Sequence, residues 1–353
     1  LTQSGHCGPN LIGFENWRRP NLTAEGYVRR REFIKVIAGS MVVWPLAARA
    51  QPLGKPATIG LLLPNTVAVD APRVGALMRR LRELGWIEGR NIAVEYRWAE
   101  GRTECLTEFA AEFVRLQVDV IVTSATTTSL AVKQATSTIP IVFAAVGDPV
   151  GAGLVASLAR PGGNVTGFSL QQSDTASKRL EMLRDVVPGL HQVAIIANID
   201  NASAMLDMRE ALTAARKFGL ETVKLEIRRP EDIAAAIDAL KVRANALYVC
   251  NDPLVATNRV RISTLALGAR LPTMFNAEEY VEAGGLLSYG PNFPDLYRRT
   301  AEYVDRILRG TKPADLPIEQ PTKFDLIVNL TTAKALGLTI SESFLIRADR
   351  VIE

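Results

Sequence analysis

From residue 58 onward the chain alternates short β-branched apolar runs with stretches whose apolar residues recur at helical spacing, the pattern of parallel α/β structure. Strands are predicted at 58–63, 91–97, 119–122, 139–144 and 164–168. Helices are predicted at 72–84, ending at Gly85 as a C-terminal cap, at 127–135, and on the face made by Leu106, Phe109, Ala110, Phe113 and Val114. The runs at 119–122 and 139–144 are largely apolar, as in strands buried on both faces. A Gly-rich break, Arg160-Pro161-Gly162-Gly163, precedes the strand at 164–168, and a second series then begins. Its strands fall at 193–197, 222–227, 246–250 and 272–275, and its helices at 176–186, 202–218, 231–240 and 254–267. There is no strict internal repeat, but two βα series around one Gly-rich crossing imply two similar lobes.

The tail departs from simple alternation. Residues 284–290 form a strand between glycines, and an amphipathic helix follows with Phe293, Leu296, Tyr303, Val304, Ile307 and Leu308 on one side. A link containing Pro313, Pro317 and Pro321 leads to a strand at 324–328 and a short helix ending at Leu336. The chain is therefore expected to cross between lobes more than once, which makes a hinge. The expected fold is α/β, with two doubly wound parallel-sheet lobes joined by a multi-strand hinge. The first lobe takes 51–166 with 288–315, and the second takes 167–287 with 316–353. A mature chain of roughly 300 residues exceeds one comfortable core.

The N-terminus reads differently. Arg29-Arg30-Arg31 opens a basic segment, an apolar run spans 36–46, and Ala48-Arg49-Ala50 offers small residues where a signal peptidase cuts. This layout predicts a secretory signal at 28–50, cleaved near Ala50, with an apolar run too short to span a bilayer. Its Arg30-Arg31-Glu32-Phe33-Ile34-Lys35 core is twin-arginine-like. Residues 1–27 lie upstream of that signal and are read as a non-native extension, with Val28 as the natural start. The first fifty residues hold seven Lys/Arg and three Asp/Glu, leaving 34 of each beyond. The whole formal charge of +4 thus sits in the leader, and the basic face that nucleic acid needs is missing.

Past the leader only His191 and two cysteines, Cys105 and Cys250, remain. His191 follows Pro188-Gly189 and reads as a loop residue. No Cys/His cluster has metal-ligand spacing, and there is no Gly-x-Ser-x-Gly elbow or P-loop. No metal, cofactor or catalytic residue is expected. Both thiols are expected free, since they are placed in different lobes. Gly151-Ala152-Gly153-Leu154-Val155-Ala156 matches a dinucleotide pattern in form, but Asp148-Pro149 separates it from its strand.

In parallel α/β lobes ligands sit beyond the carboxyl ends of the strands. Asn65 and Thr66, Ser124, Thr126 and Thr127, Asp148, Asn198 and Asp252 all stand there. The start of a helix at Ser124–Thr128 offers free amides to a carboxylate, or is ordinary Ser/Thr capping. Asp148 and Asp252, each before a proline, either receive a ligand ammonium or form turns. Asn198 closes a second-lobe strand and can donate a hydrogen bond. Tyr289 and Trp98 are either aromatic walls of the site or packing.

Long collinear stretches resemble the tryptophan/tyrosine-type substrate-binding proteins of ABC transporters. They include LRELGWIEGRNIAVEYRWAEGR (81–102), VDVIVTSATTTSLAVKQATSTIPIVF (118–143) and VGDPVGAGLVASLARPGGNVTGFS (146–169). They continue with EEYVEAGGLLSYGPNFPDLYRRTAEYVDRILRG (278–310) and PADLPIEQPTKFDLIVNLTTAKALGL (313–338). The resemblance implies a type I periplasmic-binding-protein fold, a periplasmic location, a small-molecule ligand such as an amino acid or carboxylate, and a membrane permease with its ATPase as partners. The protein is expected to be a monomer. Relatives often carry a glycine-containing turn where this chain has Ser124-Ala125-Thr126-Thr127-Thr128-Ser129, which keeps the hydroxyls and is expected to alter the turn. Two other functions stay open from the sequence: a periplasmic sensor subunit and an α/β enzyme.

Overall fold

The protein is described here from a computed structural model, which covers residues 56–353 apart from 171–174 and 241–243. The upstream extension, the signal and its cleavage site lie outside the described residues. β1 (Ala57–Leu63), α1 (Val67–Glu83), β2 (Ile92–Trp98), α2 (Leu106–Leu116), β3 (Val120–Thr123), α3 (Thr126–Ala135), β4 (Ile141–Val146) and β5 (Val165–Ser169) build the first lobe. Its strands run in the order β2-β1-β3-β4-β5, all parallel. β3 and β4 are buried along their whole length, as their apolar runs require of central strands under two helical layers.

The second lobe holds α4 (Ala176–Val186), β6 (Gln192–Asn198), α5 (Ala202–Lys217), β7 (Glu221–Ile227), α6 (Asp232–Asp238) and β8 (Ala246–Val249). It continues through α7 (Pro253–Thr257), α8 (Arg259–Gly268), β9 (Thr273–Phe275), α9 (Glu278–Glu282) and β10 (Leu287–Pro291). The chain then returns to the first lobe as α10 (Phe293–Leu308), which packs on α1 and β4. A last crossing leads to β11 (Phe324–Asn329), α11 (Leu330–Leu336), α12 (Glu342–Leu345) and β12 (Arg350–Ile352). The second sheet is ordered β12-β11-β10-β9-β8-β6-β7 and is parallel except where β10 meets β11. The two-lobed α/β architecture expected from the alternating pattern is present, with a type I periplasmic-binding-protein topology.

Four local differences from the sequence reading have physical causes. α1 begins at Val67 rather than 72, because Pro72 is tolerated inside the helix where its missing N–H leaves only the exposed Ala68 turn unbonded. The stretch expected as one helix at 254–267 is two, broken at Asn258, whose side-chain amide donates to the Leu254 carbonyl (2.8 Å). β5 stays in the first sheet as far as Ser169, and residues 316–319 stay beside it: the Thr166 hydroxyl donates to the Leu316 carbonyl (2.8 Å), and Ser169 N–H to Glu319 (2.9 Å). β10, assigned to the first lobe from residue 288, is instead hydrogen-bonded between β9 and β11 of the second. Gly290 permits this, since a Cβ there would stand 1.8 Å from the Asn276 carbonyl oxygen.

Beneath the crossings a buried polar cluster ties the hinge to the second lobe. Arg179, 1 % exposed, donates through Nε to the Tyr289 carbonyl (2.8 Å), and through Nη2 to the Thr175 hydroxyl (2.6 Å). Its Nη1 donates to the Tyr248 hydroxyl (2.8 Å), which donates on to Asp207 (2.9 Å). Cys250 is a buried free thiol. It does not pair with Cys105, as expected.

Candidate ligand-binding site

The first sheet aims β1, β3 and β4 at the second lobe, and each ends where the two lobes face each other. Leu61, Leu62 and Leu63 are fully buried, so β1 is anchored up to Pro64 and delivers Asn65 to the cleft at 4 % exposure. β3 ends at Thr123, and α3 starts three residues later. Between them Ala125 stands at φ 62°, ψ 153°, a region that glycine occupies almost alone. The backbone around it is pinned: Ala125 N–H donates to the Ala145 carbonyl (2.8 Å), and its carbonyl accepts from the Ser129 N–H (3.1 Å) and hydroxyl (2.7 Å). Ala125 thus adopts a conformation usual for glycine without being one.

That turn leaves the N-terminus of α3 without a side-chain cap. Three other helices that begin on the cleft walls are capped, α5 by Asn201, α7 by Asp252 and α10 by Asn292, while α1, also without a side-chain cap, carries Asp70 in its first turn. The free amides and positive end of α3 make it the wall suited to an anion.

Beside it lies a charged cluster on α1. Asp70 is fully buried; its carboxylate accepts from the Asn65 side-chain amide (2.9 Å) and from Arg73 (3.2 Å). Burial pushes the Asp70 carboxyl above the usual range, while Arg73 and Asn65 act against that shift. The Arg73 guanidinium stacks over the Phe293 ring (4.2 Å to its centroid) and pairs with Glu279 of α9 in the opposite lobe. Burial lowers the Arg73 pKa, but Glu279 and Asp70 more than offset it, so the net shift is upward and the group stays charged.

The second-lobe wall is built around Asp252. Its oxygens accept from the Asn201 amide (2.7 Å), from the Asn198 amide (3.2 Å) and from Leu254 N–H (2.7 Å). Burial raises its pKa, against the pull of those donors. Asn201 in turn accepts from the N–H groups of Ser203 (3.0 Å) and Ala204 (3.4 Å), and the Ser203 hydroxyl meets that of Thr126 across the cleft at 2.6 Å. With the lobes this close, the cavity between them is about 40 Å³, inside a solvent-open space of about 480 Å³.

Four of the residues singled out from sequence line this space: Asn65, Ser124, Thr126 and Asp252. Thr127 and Asn198 line a wider opening of about 970 Å³, which shares Asn201, Asp252 and Pro253 with it. The rest lie elsewhere. Thr66 caps α1 through its carbonyl, which accepts from Val69 and Asp70 N–H. Asp148 folds back on its own turn, its Oδ1 accepting from Val150 (3.1 Å) and Gly151 (2.8 Å) N–H, and does not line the cleft. Tyr289 stacks on Phe324 (5.8 Å) in the second-lobe core, and Trp98 is stacked on Tyr96 (6.4 Å). Residues 149–153 form turns and open no helix, so the Gly-x-Gly pattern there lacks the geometry of a nucleotide site. Arg73, Asn201, Ser203 and Phe293 of the cleft wall were missed.

Two α/β lobes joined by several crossings, with polar strand-end groups converging from both, define a ligand-binding protein of the hinged two-lobe class. The chain belongs to the family described as ABC transporter substrate binding protein, whose family profile matches residues 67–352. A protein of Clostridioides difficile described as "Tyrosine-binding protein" is 29% identical over 271 residues, 77% of this chain and 78% of its own length. An ABC domain from Streptococcus pneumonia, solved in complex with L-Trp, matches at TM-score 0.79 and 26% identity, covering 84% of this chain and 100% of its own. The ligand-free, open structure of a substrate binding protein with adhesive properties from Clostridium difficile matches at TM-score 0.62 and 27% identity, over 84% and 99%.

Proposed function

We propose that this protein captures an aromatic amino acid between its lobes and delivers it to a membrane permease driven by an ATPase, as the substrate-binding component of an importer. The observation that carries this reading is the uncapped N-terminus of α3, facing a second-lobe wall of amides and hydroxyls across a nearly closed cleft. The ligand carboxylate docks on the α3 amides with the Ser124 and Thr126 hydroxyls beside them. Its ring lies against Phe293, and Asn201 and Ser203 close from the opposite lobe.

The comparisons support the same reading. At nearly equal identity, the lobe arrangement here agrees better with the L-Trp complex (TM-score 0.79) than with the ligand-free, open relative (0.62). The Thr126–Ser203 and Arg73–Glu279 contacts fit an arrangement closed over ligand. Among the described residues no helix is long and apolar enough to cross a membrane. The protein acts in the periplasm after removal of the signal at 28–50, works as a monomer, and uses no cofactor.

A thermal-shift screen of the full chain against the common amino acids, small carboxylates and nucleotide cofactors tests this. Ligand at a hundredfold excess over a micromolar dissociation constant stabilises by about 2.7 kcal/mol, a shift of roughly 5 °C. L-Tryptophan or L-tyrosine should give that shift. Stabilisation by nucleotides alone, or by nothing in the amino-acid set at millimolar concentration, would contradict the proposal.

A further inference from the structure

We infer that Asn65 receives the amino group of the ligand through its side-chain oxygen, and that Asp70 is the positioning residue that turns this oxygen toward the cleft. The two ends of an amide side chain are alike in shape and opposite in chemistry: the nitrogen donates, the oxygen accepts. Asp70 settles which end faces where. Its carboxylate, fully buried and ion-paired to Arg73 at 3.2 Å, only accepts, so the Asn65 nitrogen is held against it at 2.9 Å. The oxygen is the end left over. It is buried, on a cleft-lining residue 4 % exposed, and it has no hydrogen-bond partner among the described residues.

A buried carbonyl without a donor is unfavourable, and a ligand N–H removes the penalty. The competing side-chain acceptors on the cleft wall are already engaged, and the second Asp70 oxygen, also without a partner, lies behind that wall. Asp252 accepts from Asn198, Asn201 and Leu254, and the Asn251 side-chain oxygen accepts from the Tyr280 hydroxyl at 3.2 Å. Asp148 does not line the cleft, and its Oδ1 is taken by its own turn.

The placement also suits an α-amino acid, whose two charged groups share one carbon. β1 and β3 are neighbours in register, with Leu62 opposite Thr123. Asn65 and Thr126 each stand three residues past that pair, so the amine acceptor and the carboxylate-binding amides leave adjacent strands about 5 Å apart. A ligand spanning them is held by the first lobe before the second closes.

This inference rests on the amino-acid reading above, and one set of titrations separates the two. L-tyrosine and L-tryptophan are compared with their des-amino analogues, 3-(4-hydroxyphenyl)propionate and indole-3-propionate, on the wild-type full chain and on Asn65→Leu and Asp70→Asn. The wild type should prefer the amino acid by about thirtyfold or more, the worth of a hydrogen bond to a charged group. Asn65→Leu should bring that ratio close to one by weakening the amino acid while leaving the des-amino acid as tight or tighter. Asp70→Asn, whose amide can meet either end of Asn65, should lower the ratio as well. A general structural fault would weaken both ligands alike. A wild type that binds des-amino and amino forms equally, or an Asn65→Leu variant that keeps the full ratio, overturns the assignment and leaves the amino-acid reading standing. A wild type that binds none of the four overturns both.

Discussion

Ala125 carries the most quantifiable prediction. At φ 62° and ψ 153° its backbone occupies a region open in practice to glycine, which costs a residue with a Cβ about 1–3 kcal/mol. Ala125→Gly removes that strain. It also frees the unfolded chain, which offsets about 0.4–1 kcal/mol, while glycine serves better than alanine at a helix N-cap. The net expectation is a stabilisation of about 1 kcal/mol, or roughly 2 °C in Tm for a chain of this size. Ala125→Val should move the other way by at least as much, since a β-branched side chain fits this region worst. Urea denaturation of the full-length wild type and the two variants, read by circular dichroism, measures both changes. Ligand affinity should be nearly unchanged in Ala125→Gly, because the amides of α3 already start from a glycine-like turn. A glycine variant less stable than wild type by 1 kcal/mol, or a neutral valine variant, would refute the strain at this turn.

Three further outcomes are expected. Glu279→Gln removes an ion pair between the lobes, so it should speed ligand release and weaken binding about tenfold with little loss of stability; an unchanged off-rate in stopped flow would contradict this. The Arg97 hydrogen bonds (2.5 and 2.8 Å) hold the Glu112 carboxyl below its ordinary range, a stabilisation present above the unfolded glutamate pKa and lost as pH falls through the lower folded value. At neutral pH Glu112→Gln should therefore cost at most about 1 kcal/mol, because the pair is part-exposed, and the Tm gap to wild type should narrow as the pH falls below the ordinary glutamate range; a gap that persists in acid argues against the pairing. Exported protein should begin at Gln51 or within a few residues of it by mass spectrometry, and Arg30→Lys with Arg31→Lys should block export. An intact leader on exported protein would remove the signal assignment.

The strand ends, and hence the loops from which a ligand is held, were legible because apolar runs such as Val120–Val122 have no other home than a buried parallel sheet. Asn65, Ser124 and Thr126 follow from that alone. The two Asp-Pro corners show where such reading stops. Asp148 and Asp252 look alike in sequence, yet one closes a turn and the other gathers two asparagines at the cleft wall, because a helix starts behind Asp252 and none behind Asp148. Starting α1 at Pro72 left Asp70 in a loop and hid its i,i+3 pairing with Arg73. Glu279 and Ser203 meet the first-lobe wall only through lobe closure, and Phe293 reaches Arg73 only because the chain returns to the first lobe, neither of which a local pattern encodes. Of the two roles open to Tyr289, packing is the one seen: on β10 its ring turns onto Phe324, and its carbonyl serves the hinge through Arg179.

The central claim is that ligand is held by groups from both lobes, which must then close upon it. Small-angle X-ray scattering of the full-length wild type tests this most directly, without ligand and with saturating L-tryptophan or L-tyrosine, saturation being fixed beforehand by calorimetry. The account predicts a smaller radius of gyration with ligand, and scattering that matches the arrangement in which Thr126 meets Ser203. Saturable binding of either amino acid with an unchanged radius, in a protein already open without it, would place the ligand outside the cleft.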